Sequence, residues 1–147
     1  IPYSVPRGTY QCSDGKWVAI STSAETVAHR VMTLLGVEAD ERFASFESRS
    51  QHREELDEIV GAWIRVRTSA EVLAAFEAAE AAIAPVYNMH DLLADPHVLA
   101  RGTFIEVDGV VMPGPAARLT RTPGRVRWAG RPLGADTEEV RREVDEG

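Results

Sequence analysis

The sequence predicts an α+β fold: a small antiparallel or mixed sheet with helices packed on one face in two layers, followed by an extended C-terminal arm. Three observations predict it. Two β-prone runs flank Asp14-Gly15, and a second such pair flanks Asp108-Gly109; Asp-Gly is a strong hairpin signal because glycine tolerates positive φ. Between the hairpins, apolar residues recur at helical spacing. After "MPGPAARLTRTPG" no periodic pattern survives until the last residues.

Ile1 to Arg7 holds Pro2 and Pro6 and should be irregular. "TYQCSDGKWVAIST" then supplies the first hairpin. Ser23 is expected to cap a helix in which Val27, Val31, Leu34 and Leu35 share a face and Gly36 provides the stop. A second helix is expected over Gln51 to Arg65, burying Leu56, Ile59, Val60, Trp63 and Ile64. Its opening "HREELDE" sets acids near the positive end of the helix dipole. Thr68-Ser69-Ala70-Glu71 reads as a capping box, in which hydroxyl and carboxylate reciprocally satisfy free amides. The helix it starts packs Val72, Leu73 and Phe76. "AIAPVYN" is a short strand, with Pro85 at an edge because proline has no amide to donate.

Asp91 to Ala94 forms one helical turn. Pro96 disfavours helix at Asp95 but suits the first position of a new helix, which Asp95 can cap. Gly102 ends that helix in the left-handed conformation. Thr103 to Asp108 is a strand, Asp108-Gly109 turns, and Val110 to Met112 begins the return. Asp136-Thr137-Glu138-Glu139 opens a short terminal helix. No internal repeat is present. Residues 1–115 read as a small domain and residues 116–147 as an arm.

Composition narrows the function. The 147 residues suit one domain or a small domain plus a tail, and 44% are hydrophobic, enough for a core. The formal net charge of −7 argues against a nucleic-acid partner, which requires clustered cations. The basic run Arg118 to Arg131 is broken by proline and glycine and reads as a solvated extended segment. Cys12 is the single cysteine, so no intrachain disulfide forms, which fits a reducing cytoplasm. No segment approaches the apolar length of a membrane helix and no signal peptide is visible, so no membrane partner is expected. Beginning at Ile1 instead of Met, the chain reads as a processed protein or a fragment.

Self-contained chemistry is missing from the pattern. His29, His52, His90 and His97 form no His-x-x-x-His pair and there is no second cysteine, so no metal site is expected. No G-x-S-x-G, P-loop or G-x-G-x-x-G occurs. Cys12 has no nearby histidine to activate it. Glu54-Glu55 and Glu138-Glu139 sit in first turns, where the dipole accounts for them. His90-Asp91 are adjacent, and adjacent residues do not face each other on a helix. Trp17, Trp63 and Trp128 read as core or interface residues. No catalytic residue is assigned.

Several fragments together carry a resemblance. "ADPHVLARGTFIEV" is similar to the stretch ADPxxxARGxxxEV of the class III (CaiB/BaiF) coenzyme A transferases. That family includes formyl-CoA transferase, carnitine CoA-transferase and α-methylacyl-CoA racemase. "TYQCSDGKWVAIST" resembles the hairpin that opens the family's small domain. "AIAPVYN" resembles its PAGPVY strand, retaining Pro85 and Val86. "LTRTPGRV" and "PLGADTEEV" resemble its closing RPAPxLGEHTxEVL, with Leu133, Gly134, Thr137 and Val140 in place. The fragments follow the family's order from Thr9 to Val140.

The resemblance implies a parent enzyme that moves coenzyme A between carboxylic acids, with acyl-CoA and a carboxylic acid as substrates. It implies a preceding Rossmann-like domain that carries most of the CoA site and an aspartate forming acyl-anhydride and CoA-thioester intermediates. No residue here matches that aspartate; Asp14 and Asp108 fall in turns. This chain alone is expected to bind no cofactor and to be inactive. It would be the small domain plus the arm that returns to the large domain, within an interlocked homodimer. Its substrate-facing part would be the corner Ser21, Thr22, Ser23, Ala24 and Glu25, where a strand meets a helix N-terminus. Racemase members carry a catalytic glutamate at the position of Ala24. Alanine moves no proton, and Glu25 lies about 100° round a helix, so the resemblance favours transferase. The alternatives are a fragment of a 2-methylacyl-CoA racemase and a non-catalytic dimerisation or binding module.

Overall fold

The computed structural model describes residues 4–146. The expected irregular opening is seen over Ser4–Pro6, its first three residues lying outside the described ones. Two compact units follow one another along the chain, Ile1–Tyr87 and Asn88–Gly147.

The first unit is a three-stranded antiparallel sheet with helices on one face. Strands β1 (Arg7–Gln11) and β2 (Trp17–Ser21) form the hairpin, and β3 (Ile83–Pro85) joins the far side of β2, giving the order β1-β2-β3. Pro85 therefore lies on an edge strand, opposite Val18. Alternation assigns the two faces: Tyr10, Val18 and Ile20 are buried under the helices, while Thr9 and Trp17 stay exposed. Helix α1 (Glu25–Leu35) buries Ala28, Val31 and Met32, and Gly36 ends it at φ 73°, the left-handed region that a side chain resists. Helix α3 (Arg53–Arg65) buries Leu56, Val60 and Ile64, while Ile59 and Trp63 are partly covered. Helix α4 (Ser69–Ala78) has the expected capping box at Thr68 and Glu71 and buries Val72 and Phe76.

One expectation needs correction. Ser23 does not cap α1: the N-cap is Ala24, and no side chain supplies a cap hydrogen bond. The reason lies in the preceding residue, whose side chain and backbone are held by the N-terminal segment, as described below. The second expected helix is present as α3, which begins at Arg53, two residues after Gln51. A 3-10 turn (Glu41–Phe43) and helix α2 (Phe46–Gln51) precede α3, and the chain kinks at His52, where φ is −104° and ψ 29°. Ser45 caps α2 by accepting from the Ser48 amide at 3.1 Å.

Asp14 has a second role beyond its turn. Its carboxylate accepts from the Ser69 amide at 3.1 Å and hydroxyl at 2.7 Å, so the hairpin tip helps cap α4. These bonds, the Ser69 hydroxyl foremost, hold the Asp14 carboxyl below its ordinary range.

In the second unit, helices α5 (Met89–Ala94) and α6 (Pro96–Ala100) meet at Asp95, which caps α6 by accepting from the Val98 amide at 2.9 Å. Asn88 and Asp91 form a capping box for α5. Strands β4 (Phe104–Val107) and β5 (Val110–Pro113) pair antiparallel around Asp108 and Gly109, both at positive φ. Helix α7 (Thr137–Glu146) closes the chain. No described residue after Ala81 is buried; Trp128 and Leu133 are exposed. The sheets are antiparallel, within the α+β class predicted.

Candidate functional site

The corner at the end of β2 is built from its neighbours inward. Ser21 closes the hairpin opposite Arg7. Thr22 turns inward and is buried, its hydroxyl donating to the Pro6 carbonyl at 2.9 Å and its amide to the same oxygen at 3.3 Å. The Ser4 hydroxyl donates to the Thr22 carbonyl at 2.8 Å. Every strong polar group of Thr22 is thus satisfied within the protein, so this residue positions the corner and presents nothing outward. Ser23 and Ala24 then emerge exposed.

Glu25 closes the other side. Its carboxylate takes a two-pronged contact from Arg49, with Nη1 at 3.0 Å from Oε1 and Nη2 at 2.7 Å from Oε2. The glutamate side chain is 59% exposed, whereas that of Arg49 is only 2% exposed. A buried cation demands partners. Arg49 finds two more in the carbonyl oxygens of Val5, 3.2 Å from Nε, and Phe43, 3.1 Å from Nη1. The segment Ser4–Pro6 therefore grips the corner twice, through Thr22 and through Arg49.

Electrostatics follow. Hydrogen bonding from Arg49 is the main reason the Glu25 carboxyl sits below the usual carboxylate range, outweighing its partial desolvation. Folding lowers this pKa, so the unfolded chain takes the proton more readily. The stabilisation is fully present above the ordinary value of 4.5 and is lost as the pH falls through the folded value. The expected result is a urea midpoint that declines below about pH 4.5 more steeply in the wild type than in Glu25→Gln, which has no proton to gain there. Parallel declines would show that Glu25 is not a coupled group.

Ala24 has no ionisable group and the Glu25 carboxylate is engaged. Beside Ser21, the open sheet face forms a shallow depression of about 430 Å³ whose lining includes Arg7, Thr9, Ala19, Ser21 and Ala84. Of the five residues expected to face a substrate, the structure brings Ser23 and Ala24 to the surface. It places Ser21 at the depression, turns Thr22 inward and commits Glu25 to Arg49. Sequence reasoning missed Arg49 and Ser4. The available signal was spacing: Arg49 lies two helical turns before buried Leu56, on what would be the same face of a continuous helix.

Other candidates are quiet. Cys12 is buried, and burial, then the Asp14 charge, pushes its thiol pKa up, away from the reactive thiolate. The Tyr10 hydroxyl donates to Asp57, and burial followed by that bond raises its pKa well above the ordinary value. Trp63 lies edge-on to Phe76 with ring centroids 6.0 Å apart, and the Arg67 guanidinium covers its ring at 3.9 Å. No helix among the described residues is long and apolar enough to cross a membrane.

Known proteins are similar to this chain in sequence and in fold. The sequence pattern of CoA-transferase family III matches residues 1–137. The succinyl-CoA–D-citramalate CoA-transferase of Chloroflexus aurantiacus is 30% identical over 95% of this chain and 37% of its own length. The alpha subunit of the succinyl-CoA–L-malate CoA-transferase of Chloroflexus aurantiacus is 34% identical over 96% of this chain and 35% of its own. A crystal structure of a CaiB/BaiF family protein from Brucella suis superposes with a TM-score of 0.76 at 25% identity, covering 99% of this chain and 39% of that one. The chain thus spans little more than a third of these relatives.

Proposed function

Because this chain belongs to CoA-transferase family III, we propose that the protein carrying it moves coenzyme A between carboxylic acids. The two Chloroflexus aurantiacus relatives are succinyl-CoA-dependent CoA-transferases by their names, which supports an acyl-CoA donor and a carboxylate acceptor. In this reading an aspartate outside these residues attacks the acyl-CoA thioester, releasing the CoA thiolate and forming a mixed anhydride. The thiolate then attacks the aspartyl carbonyl, releases the first carboxylate and leaves an aspartyl thioester, which an acceptor carboxylate resolves by the reverse sequence. Covalent catalysis splits one difficult exchange into easier steps.

The role of residues 1–115 is that of the small domain, with residues 116–147 as an arm returning to the large one, in a homodimer. The corner at Ser23-Ala24 and the depression beside Ser21 form part of the wall around the acyl group. The observation that carries this reading is the corner itself: it is clamped on both sides, open to solvent at its centre, without an ionisable group at Ala24, and with its one carboxylate, Glu25, paired to Arg49. That is suited to holding an acyl chain while a carboxylate elsewhere does the chemistry. It disfavours the racemase reading, since Ala24 is inert and Glu25 is held by Arg49.

The test is acyl exchange. The 147-residue chain alone is expected to transfer no CoA from succinyl-CoA to a dicarboxylate, while the longer protein that contains it does so. Exchange by the chain alone would place the nucleophile within these residues. Epimerisation of a 2-methylacyl-CoA by the longer protein, without exchange, would replace the transferase reading by the racemase one.

A further inference from the structure

We infer that Arg49 is a positioning residue for the corner: acting through Glu25 and the Val5 carbonyl, it fixes the conformation in which Ser23 and Ala24 are presented. The inference rests on the reading above that this corner faces the acyl group, but its structural part stands without it.

The argument begins with where the cation is. Arg49 is the sole buried residue of α2, a helix too short to be stabilised by its own hydrogen bonds. A guanidinium in such a place is costly unless its donors are met. Its donors go to three separate segments: the first turn of α1, the N-terminal segment at Val5, and the end of the 3-10 turn at Phe43. The planar fork sets the directions of these bonds together, so moving one segment disturbs the others. Two of the three segments adjoin the corner. Glu25 is the residue after Ala24, and the Pro6 carbonyl that holds Thr22 follows Val5 directly.

The corner has little else to hold it. Ala24 is an N-cap without a side-chain bond, so the usual local means of fixing a helix start is absent. Glu25 could have turned back toward its own helix amides, yet its carboxylate points to Arg49. With Thr22 anchored to Ser4 and Pro6, the two exposed residues are suspended between two fixed points. A site that must orient a substrate gains from such support, since small misplacements reduce productive binding steeply.

The experiment separates positioning from simple stabilisation. Glu25→Gln in the 147-residue chain keeps the side-chain size but weakens the charged contact. The Ala24 methyl and the amides of Ala24 and Ala28, the latter bonded to the Ala24 carbonyl at 3.0 Å, are followed by NMR under conditions where the native state dominates. The expected result is broadened or split Ala24 signals and an exchange rate at Ala28 raised about tenfold by local opening, with the Ala75 methyl in α4 unchanged. A lower urea midpoint with an unaltered Ala24 spectrum would overturn the inference, because an ion pair that only stabilises leaves the native conformation as it was. In the longer protein, the same variant is expected to raise KM for the acceptor carboxylate about tenfold, with kcat changed less than about twofold, as lost ground-state positioning does. If the longer protein transfers no CoA at all, the functional reading fails while the Ala24 signals still decide the role of Arg49. If it does transfer and KM is unmoved although Ala24 is perturbed, the corner does not face the acyl group and the functional half of the inference is lost.

Discussion

Arg49→Met is expected to destabilise the first unit by about 2–6 kcal/mol, the cost of leaving two buried carbonyl oxygens without a donor. The loss does not come from Glu25, whose side chain is 59% exposed and can return to water. It comes from the carbonyl oxygens of Val5 and Phe43, residues only 3% and 1% exposed, which lose their donor. Each orphaned buried acceptor costs about 1–3 kcal/mol. The methionine recovers some apolar burial but donates no hydrogen bond. Arg49→Lys should rescue only in part, since an ammonium cannot address a carboxylate and two carbonyls in the fork's fixed directions. Against a total stability of about 5–15 kcal/mol, the methionine variant should unfold at a much lower urea concentration. A shift equivalent to less than about 1 kcal/mol, the scale of an exposed pair, would show that the cation is not structurally required.

Phe76→Ala is expected to cost a similar amount, about 3–5 kcal/mol, through lost transfer energy and the cavity left behind. Phe76 has no exposed surface and meets Trp63 edge to face. The Arg67 guanidinium also lies over the Trp63 ring, so the indole cannot shift to fill the gap without disturbing that contact. Near-UV circular dichroism should lose part of the Trp63 signal along with the drop in urea midpoint. Phe76→Leu, which keeps much of the volume, should cost about 1.5 kcal/mol or less. Equal losses for alanine and leucine would mean that the aromatic pair, not the volume, holds this part of the core.

Much of the local structure was legible because it is driven locally. The hairpins follow from Asp-Gly turns, α4 from its capping box, α6 from Asp95-Pro96, and the edge position of β3 from proline's missing donor. The core positions Val31, Leu56, Val60, Ile64, Val72 and Phe76 follow from helical spacing. The start of α1 falls one residue beyond Ser23, which has the right chemistry for a cap, because Thr22 and Glu25 on either side are held by partners far along the chain. Helix α2 carries no apolar signature, because its one buried residue is an arginine, a residue type that is mostly exposed.

The candidate corner divides the same way. Residues 21–25 were recognisable as a strand-to-helix junction from turn chemistry, periodicity and likeness to a family, and the absence of a proton carrier at Ala24 is written in the chain itself. What the five residues do with their side chains was decided only by tertiary structure. Thr22 faces inward because Pro6 offers an acceptor, and Glu25 is spent on Arg49 because a buried guanidinium requires a counter-charge. Hydrogen bonds within a few residues are fixed by the order of the amino acids. Bonds between Glu25 and Arg49, or Ser4 and Thr22, depend on which segments the collapse of the core brings together, and that is a property of the whole fold.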